Sequence, residues 1–330
     1  MQDHFVVLTT LFVAACYALG VLSALDALYW TRSSQSAIAW GLGLVVMPYV
    51  VVPFYWMFGR RRFRGYRRLL GRLVEAHRSK MAAFDERFRA GLSEDDDVLP
   101  DVERPFERVL GHEFSAFNEV RLLIDGPATF GAIFAALKTA KSYIFIQFYI
   151  LRDDVIGCEL KDILLDRRAQ GVRVSVLYDE VGSSALSSEY IDTLERAGVE
   201  ISQFGTRQGS RNFFQINFRN HRKIVVVDGR VAFLGGLNVG DEYLGHDKTI
   251  GRWRDTHLEI EGPAVAAVQA VFLADWFWAT KRTPEVEWKE PERYGLKRVL
   301  VCGFGPDDER EKGVHFFLET MRSARQRLWI

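Results

Sequence analysis

The chain has 330 residues, 48% hydrophobic and 26% charged, and its 43 basic and 43 acidic side chains cancel to zero net charge. That length holds one large domain or two ordinary ones with a well-buried core. Zero net charge excludes any argument from overall charge for an acidic or basic partner, so only its distribution carries information. The cysteines, Cys16, Cys158 and Cys302, lie far apart without metal-ligand spacing. They read as small apolar residues and give no case for an oxidising compartment.

Phe5–Leu25 and Ala37–Phe58 contain no charged residue. Each is long enough for a membrane helix, which takes roughly 20 residues. The sequence therefore predicts a transmembrane hairpin over 1–59, with a short polar turn between its arms. A cleaved signal peptide fits poorly, because no basic region precedes the first run and a second run follows it. Arg60, Arg61, Arg62, Arg64, Arg67, Arg68 and Arg72 crowd behind the second run, against Arg32 alone in the turn. By the positive-inside rule this predicts a multi-pass protein with everything after residue 59 in the cytoplasm. The arginines are also suited to anionic lipid headgroups.

Residues 60–119 read as a basic, polar and largely helical linker, with Leu69, Leu70, Leu73 and Val74 as one apolar stripe. Glu94-Asp-Asp-Asp97 followed by Pro100 marks a solvated loop. From about residue 120 the pattern alternates between strands and helices. Tyr143–Ile150 is a buried strand, Ile156–Gln170 a helix, Val172–Tyr178 a strand, Tyr190–Ala197 a helix and Val199–Phe204 extended. Lys223–Val227 and Val231–Leu234 flank Asp228-Gly229-Arg230 as a hairpin, and Pro263–Thr280 is a helix. This order predicts an α/β layered sheet with flanking helices over 120–295.

An internal repeat follows. Lys138–Ile146 and Arg322–Ile330 share a pattern of helix end, basic turn and apolar strand at an offset of 184 residues. Leu122–Gly126 matches Leu300–Gly303, and Gly131–Ala140 matches His315–Ala324. Residues 296–330 thus read as the start of a second α/β repeat that stops after its first strand, so the chain reads as the N-terminal part of a longer protein.

The chemistry concentrates in Asn220–Asn238. On a strand alternate residues share a face, so His221 and Lys223 point the same way. Asn238 follows a second strand folded back on the first. An imidazole, an ammonium and a carboxamide converging there suit an anionic phosphoryl group: Lys223 and Asn238 hold its oxygens while neutral His221 attacks phosphorus. Gly235-Gly236 would admit that group close to the backbone. A lone His-x-Lys is otherwise an ordinary half-buried strand.

The full spacing, His221-x-Lys223-x4-Asp228-x6-Gly235-Gly236-x-Asn238, resembles the HKD signature of the phospholipase D superfamily. Gly235–Tyr243, Trp253-Arg-Asp-Thr-His257, Glu261–Val265 and Asp275–Thr280 narrow the resemblance to bacterial cardiolipin synthases, and it covers nearly the whole chain. The resemblance implies a phospholipase-D-like fold, a bacterial inner membrane location and phosphatidyl transfer. His221 would displace glycerol from phosphatidylglycerol and a second phosphatidylglycerol would then displace His221, with no metal or organic cofactor. Phosphatidylglycerol, other anionic phospholipids and the membrane are the partners it implies. Asp255 is the candidate for orienting the His221 ring; its alternative reading is an ion pair with Arg252 or Arg254. Asp228 belongs to the catalytic motif, yet at a turn it is better placed to brace that turn. His246 and His257 read as structural or solvated. The family carries two such motifs, the second histidine being the general acid, and this sequence has one, so it holds half of an active site. Water as acceptor would make the same chemistry a phospholipase. A nuclease has less support, because the basic residues cluster beside the apolar hairpin and not around the motif. An inactive lipid-binding fragment is the non-enzymatic alternative.

Overall fold

Period-two patterning and one proline break decide most of the architecture. The computed structural model describes residues 2–31, 34–59, 103–205, 219–245, 251–286, 292–305 and 312–329. His246, the arginines of 60–72, the stripe at 69–74 and the acidic run at 94–97 lie outside the described residues.

The N-terminal unit contains helix α1 (Gln2–Trp30), α2 (Ser34–Val46), α3 (Pro48–Phe54) and a π-helical turn, Tyr55–Gly59. Among the described residues only α1 is long and apolar enough to cross a membrane. The expectation of two spanning helices is corrected here. The second apolar run is broken at Met47–Pro48, where Met47 adopts φ −135° and ψ 59°. Pro48 has no amide hydrogen to continue the ladder and disfavours a helical conformation in the residue before it. The pieces are held to α1 by polar bonds: Tyr55 donates to Asp26 at 2.7 Å and Trp56 Nε1 to Ser23 at 3.0 Å.

The α/β unit has α4 (Glu103–Leu110), β1 (Ser115–Ile124), α5 (Asp125–Lys138), β2 (Tyr143–Phe148), α6 (Val155–Ala169), β3 (Arg173–Asp179), α7 (Ser188–Arg196) and β4 (Glu200–Phe204). It continues with β5 (Ile224–Val227), β6 (Val231–Gly235), a 3-10 turn (Asp241–Leu244), β7 (Thr256–Glu261), α8 (Ala264–Thr280), β8 (Lys297–Val299) and α9 (Lys312–Ser323). The eight strands form one mixed sheet in the order β4-β3-β2-β5-β6-β7-β1-β8. β2, β3 and β4 run parallel, and the remaining pairs are antiparallel. The parallel strands require crossovers, supplied by α6 and α7. Asp154 accepts from Gly157 N to cap α6, and Ser187 accepts from Tyr190 N to cap α7.

The two faces of the sheet pack differently. Ile144, Ile146, Val174, Val176, Val225 and Phe233 join the core formed with α5 and α6. The alternate residues meet α8: Phe145 stacks on Phe272 at 4.7 Å, and Tyr143 donates to Gln269 at 2.8 Å. Such an aromatic pair is worth about 1 kcal/mol beyond its buried area.

The strand expected after Ala324 does not form among the described residues. A strand needs a neighbour for its backbone groups, and among the described residues none pairs with this segment. Leu300–Gly303, expected to repeat Leu122–Gly126, forms no strand, and the three-residue β8 just before it pairs with β1. Helix α9 does form, and its exposed apolar stripe is Val314, Phe317, Leu318 and Met321. At the offset of 184 residues these positions coincide with Phe130, Ile133, Phe134 and Leu137, the buried face of α5.

Candidate active site

The segment leading into β5 is fixed from the helix side. Asp275 on α8 is wholly buried and accepts from Gln147 Nε2 at 2.7 Å, from Asn220 Nδ2 at 2.8 Å and from Arg222 Nη1 at 2.6 Å. Asp179, at the end of β3, accepts from the backbone N–H of Asn220 at 2.8 Å. Because Asn220 and Arg222 are drawn to α8, the alternation of the chain turns His221 and Lys223 to the opposite face. Sequence reasoning predicted the pairing of His221 with Lys223 but missed the three residues that enforce it. The signal was a lone aspartate inside the otherwise uncharged helix α8, which needs a buried cationic partner.

His221 is exposed, and its ring lies on that of Tyr149 with centroids 3.9 Å apart and planes 18° from parallel. Partial burial lowers its pKa, Lys223 adds to this by repulsion, and Asp179 opposes it. The ring is therefore neutral, as a nucleophile must be, at neutral pH. Lys223 Nζ donates to the backbone oxygen of His221 at 2.7 Å. Burial lowers the Lys223 pKa, and the Asp255 carboxylate counters that shift.

Asn238 is buried. Its Oδ1 accepts from Ile150 N at 3.0 Å and its Nδ2 donates to Tyr243 Oη at 2.8 Å. One amide hydrogen and one lone pair remain for a ligand. Asp255 faces Lys223 and His257 electrostatically. Its carboxylate accepts from Thr256 N at 2.7 Å and from Trp253 Nε1 at 3.3 Å, and among the described residues no hydrogen bond joins it to His221. Arg252 and Arg254 pair with Asp125 and not with Asp255, so the alternative ion pair is not formed. Asp228 lies at the far end of β5 from His221. Its carboxylate accepts from the backbone N–H groups of Lys141, Ser142 and Tyr143 at 2.7–2.9 Å. With Asp228 at φ 54° and Gly229 at φ 63°, it braces a tight hairpin turn and the entry to β2.

The glycine pair also has a packing role that the sequence did not reveal. Gly235 is opposite His257 in the β6–β7 register. A Cβ on Gly235 would lie 2.5 Å from His257 Nδ1 and 2.6 Å from its Cα, and one on Gly236 would lie 2.1 Å from Asp255 Oδ1. The missing side chains make room for the residues of the next strand. Gly235→Ala is expected to destabilise the chain by about 2 kcal/mol, because a backbone atom cannot yield. Gly236→Ala would displace the Asp255 carboxylate from Lys223. Chemical denaturation of the two variants reads the first effect, and a further fall in the Lys223 pKa without unfolding reads the second.

His257 is 1% exposed and its Nδ1 has no hydrogen-bond partner among the described residues. Burial lowers its pKa to about 4, against the pull of Asp255. The unfolded chain takes up this proton near pH 6.5 and the folded chain not until about pH 4. Stability therefore falls as pH drops through that window, by up to about 3 kcal/mol, and is unaffected by this group above it. His257→Leu is expected to flatten that part of the pH–stability curve, measured by urea unfolding at several pH values.

Among the described residues no group of histidine, cysteine, aspartate and glutamate side chains has the geometry of a metal site. Residues 133–276 match the family model described as cardiolipin synthase, PLD-like domain. Cardiolipin synthase A of Pseudomonas entomophila is 42% identical over 322 residues, which cover 96% of this chain and 67% of that protein. Cardiolipin synthase A of Pseudomonas putida is 43% identical over 322 residues, covering 95% and 66%. The chain thus spans about two thirds of the length of these curated relatives. Among solved structures, the phospholipase D family member Nuc from Salmonella typhimurium is similar with a TM-score of 0.36 and 15% identity, over 51% of this chain and 98% of that one.

Proposed function

The chain belongs to the cardiolipin synthase family of phospholipase-D-like proteins, and from that premise we propose that His221 is the nucleophile of a phosphatidyl transfer. The observation that carries the proposal is the exposed, neutral His221 ring beside the Lys223 ammonium on one face of the sheet. In the first step an imidazole nitrogen bonds to the phosphorus of phosphatidylglycerol. The bond from phosphorus to the headgroup glycerol breaks, and glycerol leaves with a proton from a general acid outside this motif. In the second step a hydroxyl of another phosphatidylglycerol gives its proton to that same group and attacks phosphorus, the P–N bond breaks, and cardiolipin is released. Lys223 and the remaining amide hydrogen of Asn238 stabilise the phosphoryl oxygens. Asp255 keeps Lys223 charged, and Asp228 supports the strand from its far turn. No step requires a metal or an organic cofactor.

The substrates are then phosphatidylglycerol and other anionic phospholipids, reached from a bacterial inner membrane by a chain anchored through α1. The arginines at 60–72 favour a cytoplasmic α/β unit. The first phospholipase-D-like unit is centred on 120–295 and shares its sheet with β8, a linker precedes α4, and α9 opens a second unit. The match between the exposed stripe of α9 and the buried face of α5 supports that division.

The test is product identity. Membranes containing the product of the full locus, and lacking other cardiolipin synthesis, receive phosphatidylglycerol labelled in its headgroup and acyl chains. Cardiolipin with released glycerol is the expected result. Phosphatidic acid as the main product would replace transfer by hydrolysis, and no product would leave a lipid-binding fragment.

A further inference from the structure

Tyr149 was not among the residues singled out from the sequence, yet its ring packs directly on that of His221. It sits one residue past β2, and its ring stacks on the imidazole at 3.9 Å. Lys223 Nζ lies 5.5 Å from the centre of the same ring. The backbone around Tyr149 is pinned: Ser183 Oγ donates to its carbonyl oxygen at 3.1 Å. Gly182 comes so close that a Cβ there would lie 2.8 Å from the Tyr149 ring and 2.2 Å from that oxygen. The tyrosine is therefore held in place by the loop after β3, and the imidazole rests on it.

Resting on the reading of His221 as nucleophile, we propose that Tyr149 is its positioning residue, presenting the edge of the imidazole to phosphorus and stabilising the charge the ring acquires. Attack uses the lone pair in the ring plane, so a partner on the face leaves the reacting edge open. As the N–P bond forms, the imidazole becomes partly cationic. The negative face of an aromatic ring attracts such a cation. The same ring lies near the Lys223 ammonium, so one ring accommodates both positive groups against their mutual repulsion.

The experiment uses phosphoramidate, a small phosphoryl donor, on the full chain in detergent. An imidazole nitrogen of His221 bonds to phosphorus, the P–N bond of phosphoramidate breaks, and ammonia leaves with a proton from water. Phosphohistidine is quantified at His221 by peptide mass spectrometry, with His221→Ala as the blank. Buried His257 reports folding, since it stays unlabelled in a folded chain. Tyr149→Phe keeps the ring and is expected to react within about twofold of the wild type. Tyr149→Leu removes it and is expected to react about fivefold more slowly. Equal rates in the two variants, or no label on His221 in the wild-type chain, would overturn the proposal. If Tyr149→Leu labels His257, Tyr149→Met is compared with Tyr149→Phe instead, under the same criterion. No lipid is involved, so a failure of phosphatidyl transfer and a failure of the Tyr149 role give separate results.

Discussion

Alanine at His221 is expected to lower phosphatidyl transfer by about 10,000-fold or more, because it removes the group that carries the covalent intermediate. The loss should come without unfolding. His221 is exposed, its ring nitrogens have no hydrogen-bond partner among the described residues, and the fixed neighbours Asn220 and Arg222 are retained. Acid-quenched reactions with labelled phosphatidylglycerol should show label on the peptide containing His221 in the wild-type chain and none in the variant. Binding of phosphatidylglycerol should survive, since Lys223 and Asn238 remain. The pH dependence is a second signature. The His221 pKa lies below its ordinary value of 6.5, so the neutral nucleophile predominates above that pH. Transfer should therefore rise through a pH below 6.5 and level off above it. Cardiolipin formed at an unchanged rate by His221→Ala would remove the catalytic assignment.

Asp275→Ala has the largest expected effect on stability, a loss of about 3–5 kcal/mol. The carboxylate is completely buried and balances Arg222 while accepting from Asn220 and Gln147. Its removal leaves a partly buried guanidinium and two amides without that acceptor. Gln147 Oε1 is already buried with no partner among the described residues, so the cluster has little capacity to rearrange. The unfolding midpoint in urea should fall sharply in the purified chain. Asp275→Asn retains the shape but not the charge, and its loss should be intermediate. In either variant the segment 219–223 loses its anchor on α8, so transfer should fall even at temperatures where the chain stays folded. A variant with wild-type stability would show that Arg222 and Asn220 find other partners.

Much of this was legible in the sequence. The strands from Tyr143 to Leu234 followed from short apolar runs between turn residues, because burial on a sheet depends on the identity of each residue more than on distant contacts. The hairpin at Asp228-Gly229 was visible because few residues tolerate two successive positive φ angles. The side-by-side placement of His221 and Lys223 needed only the two-residue period of a strand. The chain's own arrangement decided what local pattern leaves open. Uncharged composition suggested two equal spans, but Pro48 divides the second, and an apolar run does not reveal its continuity. The role of Gly235 and Gly236 depended on register, which put His257 and Asp255 against them across β6 and β7. Asp275, Asn220 and Tyr149 became site residues only when α8 and the ends of β2 and β3 were brought to one place. Local sequence specified which residues carry the chemistry and which face of their strand they share. Tertiary contacts between segments as far apart as Asn220 and Asp275 decided which way that face points and what holds the nucleophile still, since a buried carboxylate takes its partners from wherever the fold delivers them.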